Sequence, residues 1–324
     1  MKILTGTLSQ LKQQVDIRRT AVAQNTDVQT IVQAIIAKVR AEGDSALRTY
    51  SNKLDHVTVN DFQVDQALID VAPAQLPAKL LKALQLAKAN ITSYHQNEIE
   101  RGFVDTPNPG IIRGQKITPL AAVGLYVPGG TAAYPSTILM TAIPAKLAGV
   151  KKIVMVTPPQ PDGLNPVVLA AANLAGVDAI YQVGGAQAIA ALAYGTESIP
   201  RVDKIMGPGN RYVAEAKKQV FGNVAIDMIA GPSEIGIIAD ESADPIRLAA
   251  DLLSQAEHDP NARAMMVTPS EKLASAVSEQ IDIQLPTLPR ESIARAAIEN
   301  QGFIAIVATI NDCLLYTSPS PRDA

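Results

Sequence analysis

Residues 153–193 read IVMVTPPQPDGLNPVVLAAANLAGVDAIYQVGGAQAIAALA. Two β-branched runs, 153–157 and 179–183, each give way through Pro, Gly or Asp to an Ala-rich run, 165–175 and 186–193. A short, continuous apolar run before a helix-length run of small residues is the pattern of a buried parallel strand that returns through a helix. The stretch therefore predicts consecutive βαβ units. Further along, the same alternation predicts strand 203–206 with helix 211–220, strand 235–239 with helix 245–257, strand 264–268 with helix 271–282, and strand 303–308.

Towards the N-terminus the pattern changes. Val28, Ile31, Val32, Ile35, Ile36 and Val39 follow helical spacing, with Thr26 or Asp27 as candidate cap and Gly43 as stop. A second helix from about Pro77 carries Leu80, Leu81, Leu84, Ala87 and Ile91 on one face. Residues 105–110, DTPNPG, read as a turn. The expected class is thus α/β, with parallel sheets behind a helical N-terminal region. An internal echo, IVMVTP at 153–158 and AMMVTP at 264–269, is consistent with two related halves or with the narrow choice of residues that buried strands use.

At 324 residues, two core-forming units are expected. A net charge of -3 without Lys/Arg runs gives no footprint for nucleic acid or an anionic membrane. The N-terminus lacks the features of a signal peptide, and no apolar run reaches the roughly 20 residues of a membrane span, so a cytoplasmic protein is expected. The single cysteine, Cys313, excludes a multi-cysteine metal cage and leaves His, carboxylate or amide oxygen as ligands.

Three glycine turns follow predicted strands: Pro128-Gly129-Gly130, Gly184-Gly185-Ala186-Gln187, and Gly207-Pro208-Gly209-Asn210. Each is either an ordinary turn or a place where backbone amides and a helix N-terminus meet an anion such as a dinucleotide phosphate. Together they would line the carboxyl edge of a parallel sheet, where open α/β folds bind ligands. The third turn has two glycines of a dinucleotide fingerprint, with Tyr212 at the third position and Asp227 near the spacing of a ribose-binding acid. At the end of helix 245–257, Gln255 and His258 are three apart and share a face, either as a half-site for a metal or as helix-end chemistry before Asp259-Pro260. Ser233, in the turn Gly231-Pro232-Ser233, could bind a polar ligand, but it lacks the setting of a nucleophile.

Four blocks in order, VGLYVPGGTAAYPSTILMTAIPAKLAGV, GGAQAIAALAYGTESIPRVDKIMGPGN, AIDMIAGPSE and DLLSQAEHDP, closely resemble the histidinol dehydrogenase family, and the resemblance extends from about Thr26 to Cys313. It implies two incomplete Rossmann-like domains and an intertwined homodimer. The implied reaction is the NAD-dependent oxidation of L-histidinol to L-histidine through histidinal, the last step of histidine biosynthesis. Tyr126, Gln187 and Asn210 match NAD contacts. Ser233, Gln255 and His258 match substrate contacts, and the last two also match zinc ligands.

The same resemblance divides the chain into an N-terminal segment 1–24, a first domain from 25–124 and 235–313, and a second domain 125–234. It also implies a catalytic Glu-His pair and further zinc ligands after Leu314, whereas 314–324 (LLYTSPSPRDA) holds neither Glu nor His and reads as a non-native tail. No catalytic acid or base is therefore assigned here. A nucleotide-binding or dimerising fragment without turnover is the alternative expectation, as is an oxidoreductase for another amino alcohol. With strand 303–308 near the end, Phe303, Ile304, Ile306 and Val307 are expected to lie on an open sheet edge.

Overall fold

The computed structural model describes residues 1–14, 26–129, 134–229 and 234–315. The chain divides into two compact units, 26–230 and 1–25 with 231–324.

In the first unit, strands β4 (Ala122–Tyr126), β5 (Lys152–Thr157), β6 (Ala179–Gln182), β7 (Lys204–Met206) and β8 (Ala225–Ile226) form a parallel sheet in the order β6-β5-β4-β7-β8. Pleating sends alternate residues of β5 to opposite faces. Val154 and Val156 join one hydrophobic cluster, and Ile153 and Met155 the other. Both faces are covered, which is why the strand reads as an unbroken apolar run.

Local chemistry sets the helix limits. Helix α6 (Pro166–Ala175) starts where Asn165 caps the Val167 amide at 2.9 Å, and it ends at Gly176 in the left-handed region, φ 77°. Helix α5 (Pro135–Leu147) follows β4 after the residues left undescribed, and α7 (Gly185–Tyr194) and α8 (Arg211–Val220) follow β6 and β7. Helix α1 (Thr26–Glu42) buries Val28, Val32, Ile35, Ile36 and Val39 against α7 and α8, while Ile31 stays exposed. Burying each such side chain contributes about 1.5–3 kcal/mol relative to exposure. Helix α2 is Asp44–Tyr50; α3 (Gln66–Gln75) packs on α6, and α4 (Ala78–His95) on α5.

These contacts revise the expected division. Residues 26–124 belong with 125–230 and not with 235–313. The stripe of α1 is used on α7 and α8, Gln63 bridges Tyr181, and β4 is the middle strand of the five. The expected turn at 105–110 lies within an antiparallel hairpin, β2 (Phe103–Asn108) with β3 (Ile111–Gln115), turning at Gly110 with φ 82°. All its residues are exposed, and its register shifts between Asp105 and Asn108, around Pro107, which cannot donate to a ladder.

In the second unit, β1 (Lys2–Leu4), β9 (Glu234–Ile238), β10 (Arg263–Thr268) and β11 (Phe303–Ile306) form a parallel sheet in the order β1-β11-β10-β9. Helices α9 (Pro245–Ala256), α10 (Glu271–Gln284) and α11 (Glu291–Asn300) cover one face. Leu11 and Cys313 pack on the other with Met265, Val267 and Phe303. The open edge expected at 303–308 is absent. β1 pairs with β11, Lys2 opposite Phe303 and Leu4 opposite Ala305, and Phe303, Ile304 and Val307 are buried. The two echoed segments, β5 and β10, are both internal strands of their sheets.

Candidate functional site

The strand ends of β4, β6 and β7 bring the three glycine turns to one edge of the five-stranded sheet. Tyr126, the last residue of β4, is buried, and its hydroxyl accepts a hydrogen bond from the Gly185 amide at 3.2 Å. That bond ties the first turn to the second. Burial pushes the phenol up to about 12, so it stays protonated and its O–H remains a donor. A Cβ on Gly207 would lie 2.1 Å from the Tyr126 carbonyl oxygen, and one on Gly184 would lie 2.4 Å from the Pro158 ring. The turns are packed too closely for any side chain other than hydrogen.

Gln187 stands in the first turn of α7 and is 1% exposed, with Oε1 buried and unpartnered. A Cβ on Gly185, whose φ is 66°, would meet that oxygen at 2.7 Å, so glycine is needed there on both counts. Asn210 caps α8: its Oδ1 accepts the Tyr212 and Val213 amides at 3.0 and 3.1 Å, which leaves the exposed amide nitrogen as a donor. The structure thus gathers Tyr126, Gln187 and Asn210 at one edge, the first two as its buried backing and the third on its surface.

Asp227 has another task than ribose binding. Its Oδ2 accepts the Gly207 amide at 2.8 Å, its Oδ1 accepts the Met228 amide at 2.7 Å, and it pairs with the buried Lys217. Lys217 also donates to the Gly207 carbonyl at 3.0 Å. Lys217 and Asp227 therefore hold both backbone groups of Gly207. Sequence reasoning missed this clamp, although Lys217 shares the buried face of α8 with Val213, Ala216 and Val220 and so stands as a charge in an apolar stripe.

In the other unit, Gln255 lies in the last turn of α9, and His258 lies two residues beyond its end. Gln255 is half-buried and His258 exposed, and neither side chain has a hydrogen-bond partner among the described residues. One amide and one imidazole are free, which fits part of a zinc shell. A catalytic zinc takes about three protein ligands, and among the described residues no three His, Cys, Asp or Glu come together. Ser233 lies outside the described residues. His95 pairs with Glu98 at 2.5 Å, and His56 is exposed at the end of a π-helical turn. No helix among the described residues is long and apolar enough to cross a membrane.

The family model for histidinol dehydrogenase matches residues 18–318. The chain is 61% identical over 314 residues to a histidinol dehydrogenase of Lactiplantibacillus plantarum, covering 96% of this chain and 73% of that protein. It is 55% identical over 315 residues to that of Streptococcus mutans, with the same shares covered. The crystal structure of histidinol dehydrogenase from Elizabethkingia anophelis superposes with a TM-score of 0.84 at 38% identity, over 97% of this chain and 72% of that one. On the match of sequence and fold together, this chain belongs to the histidinol dehydrogenase family.

Proposed function

We propose that the protein serves the NAD-dependent oxidation of L-histidinol to L-histidine through histidinal, with the glycine edge as the NAD site. The observation that supports this reading most is the convergence of Tyr126, Gln187 and Asn210 at three linked strand ends in a chain of this family. NAD supplies the hydride acceptor, twice per histidinol. The protein supplies position. Helices α7 and α8 direct their N-termini to the edge, where their field favours an anionic pyrophosphate. The Asn210 amide nitrogen is free to donate, and the clamp of Lys217 and Asp227 fixes the turn that carries it.

Gln255 and His258 are the residues that would hold zinc and, with Ser233, the substrate. When bound, the metal would orient the substrate's imidazole and amino nitrogens. The chain is expected to work in the cytoplasm as a homodimer. Hairpin β2–β3, with Val104 and Ile112 each 77% exposed, is the surface that most needs a partner, since a lone two-stranded hairpin is marginal in water.

The test uses a version extended past Leu314 to the length of the relatives, supplied with zinc and NAD, and compares L-histidinol with other amino alcohols. Two NADH per L-histidinol, with no turnover of the others, is expected. Absence of NADH with L-histidinol, or equal rates with another amino alcohol, would overturn the reading.

A further inference from the structure

With both oxygens of Asp227 engaged, the carboxylate that sequence spacing offers for a ribose is unavailable. The fold provides another that is free. Asp55 ends the π-helical turn Ser51–Asp55 that continues α2, and single π turns are frequent at functional sites. Its Oδ2 is buried and has no hydrogen-bond partner. Leaving a carboxylate oxygen unpaired costs free energy that a purely structural position would not carry.

Two observations relate Asp55 to the glycine edge, and a third gives both a common need for donors. Tyr50 and Val57, on either side of the turn, pack in the cluster that holds Tyr126, Val183 and Ala186. The charge of Asp55 acts on the Tyr126 hydroxyl. Among the described residues three buried side-chain atoms lack a partner: Ser51 Oγ at the start of the same turn, and two that can only accept while the carboxylate is ionised, Asp55 Oδ2 and the Gln187 Oε1 of that edge. Burial also pushes the Asp55 carboxyl up to about 6, the sign of an acid that is desolvated and not compensated.

We propose that Asp55 is a ligand-binding residue of the glycine edge and accepts hydrogen bonds from the vicinal hydroxyls of an unphosphorylated ribose. The proposal rests on the reading of that edge as a nucleotide site. An unpaired carboxylate asks for donors, and a diol offers two in reach of one carboxyl group. The same negative charge repels a phosphate on the 2′-hydroxyl, so Asp55 would also select NAD against NADP.

The experiment is a calorimetric titration of this chain with NAD and with NADP, for the unmodified protein, Asp55→Asn and Asn210→Ser, with thermal midpoints for each. Asp55→Asn is expected to weaken NAD about tenfold, the loss of one charged hydrogen bond, and to narrow the preference for NAD over NADP, with its thermal midpoint equal to or above that of the unmodified chain. A lower midpoint with unchanged NAD affinity would make Asp55 structural and overturn the proposal. Unchanged affinity in Asp55→Asn beside weakened binding in Asn210→Ser would overturn it and leave the NAD site standing. No binding by the unmodified chain, or no effect of either substitution, would overturn both. Should Asp55→Asn fail to fold, the unmodified chain decides: NAD bound at least about tenfold more tightly than NADP supports the proposal, and equal affinities overturn it.

Discussion

The glycine edge of unit 26–230 and the tip of α9 in the other unit carry the two sets of candidate ligand groups, and they are built in opposite ways. At the edge the turns themselves are held by hydrogen bonds, the Tyr126 hydroxyl with Gly185, the Asn210 side-chain carbonyl with α8, and both backbone groups of Gly207 with Lys217 and Asp227, while Gln187 Oε1 is left for a ligand. At the tip, Gln255 and His258 have no such support. A dinucleotide site is largely backbone, and backbone needs rigid, closely packed turns that one folded unit can complete. A metal shell is side chains, and each ligand missing from the set leaves the rest loose. The contrast predicts that substitutions which break the held turns of the edge damage folding, whereas substitutions at the tip leave folding intact.

The largest effect is expected at the clamp. Asp227→Asn leaves the buried Lys217 ammonium without its carboxylate and should cost about 3 kcal/mol in urea unfolding. Adding Lys217→Met, which removes that buried charge, should restore most of it. If the double variant is no better than the single one, the pair is not what holds the turn. Gly207→Ala puts a methyl group against the Tyr126 carbonyl at a φ of 118° and should cost roughly 2 kcal/mol in the same assay. A loss below about 0.5 kcal/mol would show that the turn can move.

Asn210 separates folding from binding. Asn210→Ala should lose about 1 kcal/mol of cap energy and about tenfold in NAD affinity, whereas Asn210→Ser should recover the cap and not the affinity. Recovery of both would mean that the amide nitrogen does not touch the cofactor.

A pH effect follows from Asp55. Its carboxyl rises from the ordinary 3.8 to about 6 through burial, offset in part by His56. The folded state therefore holds the proton more tightly than the unfolded state between those values. Stability from this group is present at low pH and is lost as pH rises through about 6. Asp55→Asn should accordingly gain on the unmodified chain in thermal midpoint between pH 5 and pH 7, and a constant difference would contradict the assignment. The smallest effect belongs to the tip: His258→Asn should change stability by less than about 0.5 kcal/mol while weakening zinc binding. A clear loss of stability would instead mark His258 as a helix-end residue.

Much of this contrast is visible in the sequence. The strands are legible because burial on both faces demands unbroken Val and Ile, and α6 and α7 because an Ala-rich run follows each strand after Pro, Gly or Asp. β1 escapes notice because three residues, Lys2–Leu4, carry no period and become a strand only by pairing with β11. The hairpin reads as a turn because its residues bury nothing and Pro107 interrupts it. The unit boundary near 230 depends on which sheet α1 covers, a tertiary choice that its own stripe does not encode. At the site, the glycine turns are visible as a series of strand-to-helix turns, and Asn210 enters through the family resemblance. The task of Asp227 and the freedom of Asp55 depend on partners distant along the chain.

The most direct test of the edge as a cofactor site is calorimetric titration of this chain with NAD, paired with Asn210→Ser. Saturable binding at one NAD per chain, weakened about tenfold by that substitution with the unfolding midpoint unchanged, is the predicted result. Binding of equal strength in both proteins, or none in either, would contradict it.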